Sequence, residues 1–578
     1  MSDGADGRAA VPEGTPAAYD LMPRYPVAGG AVEAGYGALA GDVERTRPPV
    51  LAIDGPAALP WERMVVLLGR ELASKGLRVH EVDVRGHARP WPEIERRTDG
   101  GALRGDPEFA SLCSTPLRDL LDLPTGGGPR PGSGGVTVAY GPGAALLPHD
   151  RLWYADLPKR LQPPAVRDGA PNLGQPPGTP GTQRRLRFID WPVQDRHKQE
   201  WLGRFDRYVD LTDAARPRSF GGAALRRSLR DLAAGPFRTR PVFCPGAWGG
   251  QWMRRVLGAP ADGPNLAWSY ELITPEGGIL LGDEEIVEVG FELLMAEAGR
   301  AVVGADVARR FGGSFPIRFD YLDTMDGGPL SVHCHPRDAS MRDTFGWPYP
   351  QHESYYVMAT LPGRTIFLGL RDDADLDSLR AAAERAEQAG IPLEVERYVR
   401  TYPARAHSLY LIPAGTPHAS GEGNVVLEIS ATPYLYSLRL YDWLRPDLDG
   451  GLRPVHVGHA FANLDARRAR AHAREPAAEP RVVRSGAGFV ELELGRRPEL
   501  FFAVHRLDFD DEAADDTDGR FHVLNLVESG EVLVEAAGRS HRLAYAETLV
   551  VPASVGPYRL VRRHGGPCRV IKAFVAAP

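Results

Sequence analysis

The chain has 578 residues, 43% hydrophobic and 25% charged, with a formal net charge of −7. It contains no apolar run of about 18 residues, which excludes a membrane-spanning helix. The acidic balance, without a basic stripe interleaved with aromatics, excludes a general nucleic-acid binder. Its length predicts roughly three to four domains. The N-terminus, Met1-Ser-Asp-Gly-Ala-Asp, has no basic or apolar leader region. The cysteines Cys113, Cys244, Cys334 and Cys568 are scattered and predict no disulfide framework. A cytoplasmic protein is expected. Basic residues are almost all arginine, with lysine only at Lys75, Lys159, Lys198 and Lys572.

Residues 1–46 are rich in Ala, Gly and Pro, with a short helix predicted over Ala31–Ala40. Residues 47–236 read as α/β. Pro49–Asp54 predicts a buried strand, Trp61–Lys75 a helix with Met64, Val65, Leu68 and Leu72 inward, and Leu77–Asp83 a second strand. That β-α-β rhythm implies a parallel sheet. Val136–Gly141 and Arg151–Asp156 add strands, while Thr125–Gly135 and Asp168–Thr182 are flexible Gly/Pro-rich interruptions. Lys159, Arg160 and Lys198 are expected to be solvated surface charge.

Residues 237–464 change to short alternating strands with Gly/Pro punctuation. Two helices are predicted there, over Asp283–Ala298 and over Leu376–Ala389, the second with Asp375 as N-cap and Gly390 as stop. Residues 465–482 form an Ala/Arg-rich connector, and residues 483–578 are all strand and turn.

The donor-rich segments are Ser331-Val-His-Cys-His-Pro336, Glu353 in Gln-His-Glu-Ser-Tyr-Tyr, and Pro413-Ala-Gly-Thr-Pro-His418. His333 and His335 alternate onto one face of an extended strand. Three imidazoles and a carboxylate in β-rich segments suit one divalent ion: zinc, iron, manganese or nickel. His352, adjacent to Glu353, is expected on the outer face of its strand.

Residues 238–464 resemble the type I phosphomannose isomerases of the cupin superfamily. Ala247-Trp-Gly-Gly250 is similar to their Trp-Gly-Gly, and Leu330-Ser-Val-His-Cys-His-Pro336 to their Leu-Ser-Val-Gln-Val-His-Pro. Glu353-Ser-Tyr-Tyr-Val resembles their glutamate strand. Ser437-Leu-Arg439-Leu-Tyr-Asp442-Trp443 resembles the segment that carries their active-site arginine. Phe521–Glu528 and Val550–Gly556 look like their second barrel. The resemblance implies a double cupin with a zinc ion on His333, His335, Glu353 and His418. It also implies Arg439 as catalytic arginine, Gln351, Tyr441 and Asp442 at the substrate, and a sugar phosphate as that substrate. The chemistry implied is a C1–C2 proton shift between mannose 6-phosphate and fructose 6-phosphate. Two positions depart from the family. His333 stands at a glutamine position, and Gln351 stands at a lysine position, in a stretch with no lysine between Lys198 and Lys572. The second barrel has Pro557 where a turn histidine would stand and is expected to be structural.

Ile53-Asp-Gly55-Pro-Ala-Ala-Leu-Pro-Trp-Glu-Arg-Met64 resembles the start of a uridine-kinase-like P-loop domain. Tyr140-Gly-Pro-Gly-Ala-Ala and Arg187-Phe-Ile-Asp-Trp-Pro fit the same α/β background. The Gly-Lys-Ser/Thr positions hold Pro60, Trp61 and Glu62, which removes the phosphate-binding lysine and the magnesium-binding hydroxyl. A degenerate, non-catalytic domain is expected. Two other functions fit the same residues: a metal-dependent cupin oxygenase, and a non-catalytic sugar or nucleotide sensor.

Overall fold

The computed structural model describes residues 19–124, 135–176, 178–260, 262–274, 276–472 and 479–576. The predicted loop at 125–134, position 177, and the connector residues 473–478 lie outside them. The described residues form several sheets and are largely β.

Near the N-terminus a seven-stranded sheet is built around Val50–Asp54, every residue of which is buried. Gly135–Tyr140 and Arg151–Asp156 flank this strand in parallel. Arg78–Asp83 lies beyond the first and Arg207–Asp210 beyond the second, also in parallel. Fully buried strands of this kind belong to parallel sheets covered on both faces. The helix Trp61–Ser74 buries Trp61, Met64, Val65, Leu68 and Leu72 against the sheet, as its periodicity predicts. The first helix starts later than predicted. Glu33–Ala34 is an edge strand, Gly35 turns at φ 84°, and the helix spans Tyr36–Thr46.

The loop after the central strand is packed tightly. A Cβ on Gly55 would sit 2.2 Å from the Ala155 carbonyl oxygen, so only glycine fits. Leu59 and Trp61 fill the loop from inside. The Asp54 carboxylate accepts the backbone N–H groups of Gly55 (2.7 Å), Gly143 (3.1 Å) and Ala145 (2.8 Å). Glu62 faces solvent and pairs with Arg85 at 2.7 Å.

The predicted surface charge is a buried ion network instead. Lys198 pairs with Asp156 (2.8 Å) and Glu292 (2.5 Å), Lys159 with Asp195 (2.5 Å), and Arg160 with Glu288 (2.8 Å). Sequence reading sees the basic residues but not the acids that fold against them from distant segments.

Two sheets then face each other. One runs, in spatial order, Leu409–Ile412, Glu353–Thr360, Asn424–Ala431, Ile317–Asp323, Trp268–Leu272 and Val242–Cys244. The other runs Val399–Pro403, Thr365–Leu370, His418–Ser420, Val332–Cys334 and Leu438–Tyr441. The helix Leu376–Ala389 forms as expected, with the Asp375 carboxylate accepting the Ser378 N–H and Gly390 left-handed. The helix expected over Asp283–Ala298 is displaced. Val287–Gly290 pairs with Gly278–Leu281 as a strand, and the helix spans Phe291–Val303. The β-branched alternation of Val287 and Val289 favours the ladder over the helix.

The C-terminal residues form sheets of six and four strands. They pack on the preceding sheets through Phe315 against Phe521 (4.4 Å between ring centroids) and Tyr321 Oη donating to Asn525 Oδ1 at 2.9 Å. The interior of this module is partly polar. Lys572 pairs with Glu491 (2.7 Å) and Asp515 (2.6 Å), His505 Nδ1 lies 2.7 Å from Glu491, and His522 Nδ1 lies 2.9 Å from Tyr558 Oη.

A buried acid ties the start of the described chain to the middle sheets. Glu271 Oε1 accepts Tyr19 Oη (2.6 Å) and Ser269 Oγ (2.5 Å). Burial pushes its carboxyl up to about 7, against the pull of Arg238. The folded value exceeds the unfolded one, so this group's contribution is complete below about pH 4 and is lost as pH rises through 7. Glu271→Gln removes a cost on the order of 3 kcal/mol at pH 8. The variant's melting temperature, measured against wild type by calorimetry, should gain several degrees between pH 5 and pH 8. A pH-independent difference would refute the assignment.

Candidate metal centre

His333 lies in the strand Val332–Cys334, His335 directly follows it, and His418 opens the strand His418–Ser420. His333 and His418 are register partners, so their rings share a face, 4.3 Å apart between centroids. Glu353 opens a strand of the facing sheet, paired with Ile412. All four side chains are buried, with one ligand atom from each lying within 4.8 Å of the others.

Each imidazole is held through Nδ1 by a backbone carbonyl: His333 by Ser331 (2.7 Å), His335 by Tyr436 (3.2 Å), and His418 by Thr416 (2.9 Å). A proton placed on Nδ1 leaves the Nε2 lone pair free, the arrangement in which histidine ligates metal. The Nε2 of His335 and of His418 lie 3.0 and 3.1 Å from Glu353 Oε2. Beyond this approach to Glu353, His335 Nε2 is buried without a hydrogen-bond partner among the described residues. Burial and the neighbouring rings of His418 and His335 push His333 well below its ordinary value. Burial also lowers His335, against the opposing pull of Glu353. These rings are therefore neutral and ready to donate.

Burial alone would raise Glu353. The adjacent His335 and His418 imidazoles and the charge of Arg318 instead hold it well below the carboxylate range. Its second oxygen, Oε1, accepts from Arg318 (2.7 Å) and from the Gln351 amide (2.8 Å). Oε2 is thereby presented to the imidazoles. Arg318 also bonds Glu428, which burial and the nearby Asp320 and Glu353 push well above the carboxylate range, towards its neutral form. The donor set, the fixed tautomers and the orphaned Nε2 fit a divalent cation.

The structure brings together the four residues singled out in the sequence, and sequence reading misses Arg318 and Glu428, which set the carboxylate. Their signal is a charged residue on the buried face of an otherwise apolar strand, in Ile317-Arg-Phe-Asp320 and in Val425-Val-Leu-Glu428. Gln351 spends its amide on Glu353. His352 is buried, and its Nδ1 accepts the Ala414 N–H at 3.0 Å. The turn carrying His418 passes over that ring, which covers what would otherwise be a surface.

Arg439 is the register partner of His333 and shares its face. Its Nε donates to the Pro454 carbonyl at 2.6 Å, its Nη2 lies 3.2 Å from His456 Nε2, and Glu108 of the N-terminal region lies 3.8 Å away. Burial, helped by Arg453, lowers it to about 10. Tyr441 packs against Trp443, and the Asp442 carboxylate bonds Arg445 and lies 3.3 Å from Arg453.

Comparison with known proteins gives two separate likenesses. A family profile described as Domain of unknown function (DUF8485) matches residues 35–234. The mannose-6-phosphate isomerase of Streptococcus mutans serotype c (strain ATCC 700610 / UA159) is 27% identical over 221 residues, which are 36% of this chain and 61% of that protein. Mannose-6-phosphate isomerase ManA of Bacillus subtilis (strain 168) is 30% identical over 149 residues, 25% of this chain and 43% of the relative. The chain thus spans less than two thirds of the length of each. The crystal structure of the mannose 6-phosphate isomerase from Bacillus subtilis superposes with a TM-score of 0.48 at 19% identity, covering 59% of this chain and 99% of that one. The relatives are mannose-6-phosphate isomerases. No described helix is long and apolar enough to cross a membrane.

Proposed function

We propose that this protein is a metal-dependent sugar-phosphate isomerase that interconverts mannose 6-phosphate and fructose 6-phosphate. The observation that carries this is the convergence of three Nδ1-anchored imidazoles and an Arg318-anchored carboxylate, in a chain whose relatives are mannose-6-phosphate isomerases. His333, His335, Glu353 and His418 would hold the ion, and zinc is the one we assign among the divalent ions this donor set suits. When bound, the ion supplies Lewis-acid stabilisation of negative charge on substrate oxygen during the C1–C2 proton shift. Arg439, on the His333 face, serves the same developing charge through its guanidinium, with Tyr441 and Asp442 as its neighbours. Gln351 and Arg318 fix the carboxylate that completes the donor set.

We read residues 47–236 as a degenerate kinase-like domain without phosphoryl transfer, preceded by the segment 1–46. The place of Val50–Asp54 in the middle of the five parallel strands, with Gly55 opening the loop behind it, supports the kinase likeness. The Leu59 plug and the absent lysine argue against turnover there. Residues 237–464 and 483–578 are read as two cupin barrels joined by 465–482. Four free thiols suit the cytoplasm.

The test is conversion of mannose 6-phosphate by the zinc-reconstituted protein. Turnover should fall by at least about 100-fold in His418→Ala. A fully metal-loaded protein without turnover would reject the substrate assignment.

A further inference from the structure

Between the N-terminal sheet domain and the metal-bearing sheets lies a cavity of about 380 Å³ that includes none of the four metal donors. Two π-helical turns border it: Leu186–Asp190 gives Arg187 to the wall, and Met341–Phe345 leads into the lining residues Gly346 and Trp347. Such turns leave carbonyls out of the regular ladder and recur at functional sites. Here two successive amides bridge them, Leu112 N–H to the Phe345 carbonyl and Cys113 N–H to the Phe188 carbonyl, both at 2.9 Å. The first π turn places Arg187 in the cavity wall.

Arg187 makes no hydrogen bond or ion pair among the described residues, and its Nε is buried. An arginine held out of bulk water without an acceptor is costly unless something else supplies one. The Glu276 carboxylate attracts Arg187 electrostatically but accepts the Tyr434 hydroxyl and no guanidinium N–H, so the fork keeps its hydrogen bonds unmade; Lys159 is taken by Asp195 and lies 3.7 Å from Glu292. A second guanidinium in the wall, Arg196, donates to the Cys113 (2.8 Å) and Thr115 (3.1 Å) carbonyls and pairs with no carboxylate among the described residues. Trp191, Phe291 and Phe315 supply the apolar walls. Tyr436, which also lines the cavity, has a hydroxyl without a partner among the described residues and a carbonyl that holds His335 Nδ1.

We propose that this cavity binds a small phosphorylated metabolite, its phosphoryl group on the fork of Arg187 and its organic part against the aromatic walls. A guanidinium fork matches phosphate oxygens pairwise, a second arginine favours a dianion, and the volume suits a small metabolite. The site is separate from the metal donors and stands whether or not the protein isomerises sugars. Through the Tyr436 carbonyl, occupancy bears on the metal centre.

The test is calorimetric titration of the full-length, metal-loaded protein with inorganic phosphate, mannose 6-phosphate and mannose, in wild type, Arg187→Met and Arg187→Lys. Wild type should show a mannose 6-phosphate site, additional to any at the metal centre, that Arg187→Met weakens at least tenfold at unchanged metal content and Arg187→Lys weakens less, with mannose silent at it. Isotherms of mannose 6-phosphate that Arg187→Met leaves unchanged in both stoichiometry and affinity would overturn the proposal. So would the lack of saturable binding of both phosphates in wild type. Turnover, measured separately, decides only the isomerase reading.

Discussion

His418→Ala should lose its metal. Wild-type protein reconstituted with zinc and desalted is expected to retain one equivalent by elemental analysis, and the variant well under one tenth of that. The reason lies in the construction of the site. Each ring is anchored at Nδ1 and offers only Nε2, so no neighbour can swing in to replace the one removed. The loss should exceed the 10–100-fold typical of outer-shell changes, which is the range expected for Gln351→Ala, since Gln351 only steadies Glu353. Bound metal also stabilises the fold, by about 4 kcal/mol at a thousandfold excess over Kd, so a chelator should lower the wild-type melting temperature and leave His418→Ala unmoved. Wild-type protein that retains no metal would defeat the metal reading altogether, and with it the proposed chemistry.

The second large effect concerns Lys572. Its ammonium sits buried between Glu491 and Asp515, at 2.7 and 2.6 Å. Lys572→Met takes the buried cation from both carboxylates and leaves them the part-exposed Arg484, at 2.9 and 3.0 Å, a loss on the order of 3 kcal/mol. The pH dependence has a definite sign. Burial opposes ionisation of Glu491, and His505 and Lys572 hold it far below the carboxylate range regardless. Stability from that depression is present above the unfolded value and fades as pH falls through the folded one. Without Lys572 this support weakens to what His505 and Arg484 supply, so the deficit should be greatest at pH 8 and smaller at pH 5, where the acids can protonate. Calorimetry of the full chain should show a lowered C-terminal transition. A variant as stable as wild type at pH 8 would show that the ammonium is not what supports this interior. The cluster also refines the reading of the C-terminal module, where sequence inspection finds a lost turn histidine at Pro557 but not the lysine bound in its interior.

What was legible in the sequence is what is local. The Asp375 cap, the Gly390 stop and the Leu376–Ala389 helix coincide with the structure because capping is decided within one turn. The His-X-His pair and the turn histidine were legible because strand alternation and Pro-Ala-Gly chemistry are short-range. Arg318, Glu428 and Arg187 were not. Their meaning depends on partners, or on the lack of them, brought in from strands and turns far away in sequence, and an arginine in an amphipathic stretch looks like surface until its surroundings are known. Val287–Gly290 fails for a related reason, since its helical spacing is overridden by a ladder partner at Gly278–Leu281.

The distribution of the four lysines has a practical consequence. Lys159, Lys198 and Lys572 are buried with carboxylate partners, and Lys75, bonded to Glu44, is the only one with appreciable exposure. Acylating reagents at mild pH therefore have almost no side-chain target on the folded protein besides Lys75. The three buried amines report different places: the N-terminal sheet's ion network for two of them, and the C-terminal interior for the third. The order in which they become acylated on warming would show, by peptide mass alone, which part of the chain opens first.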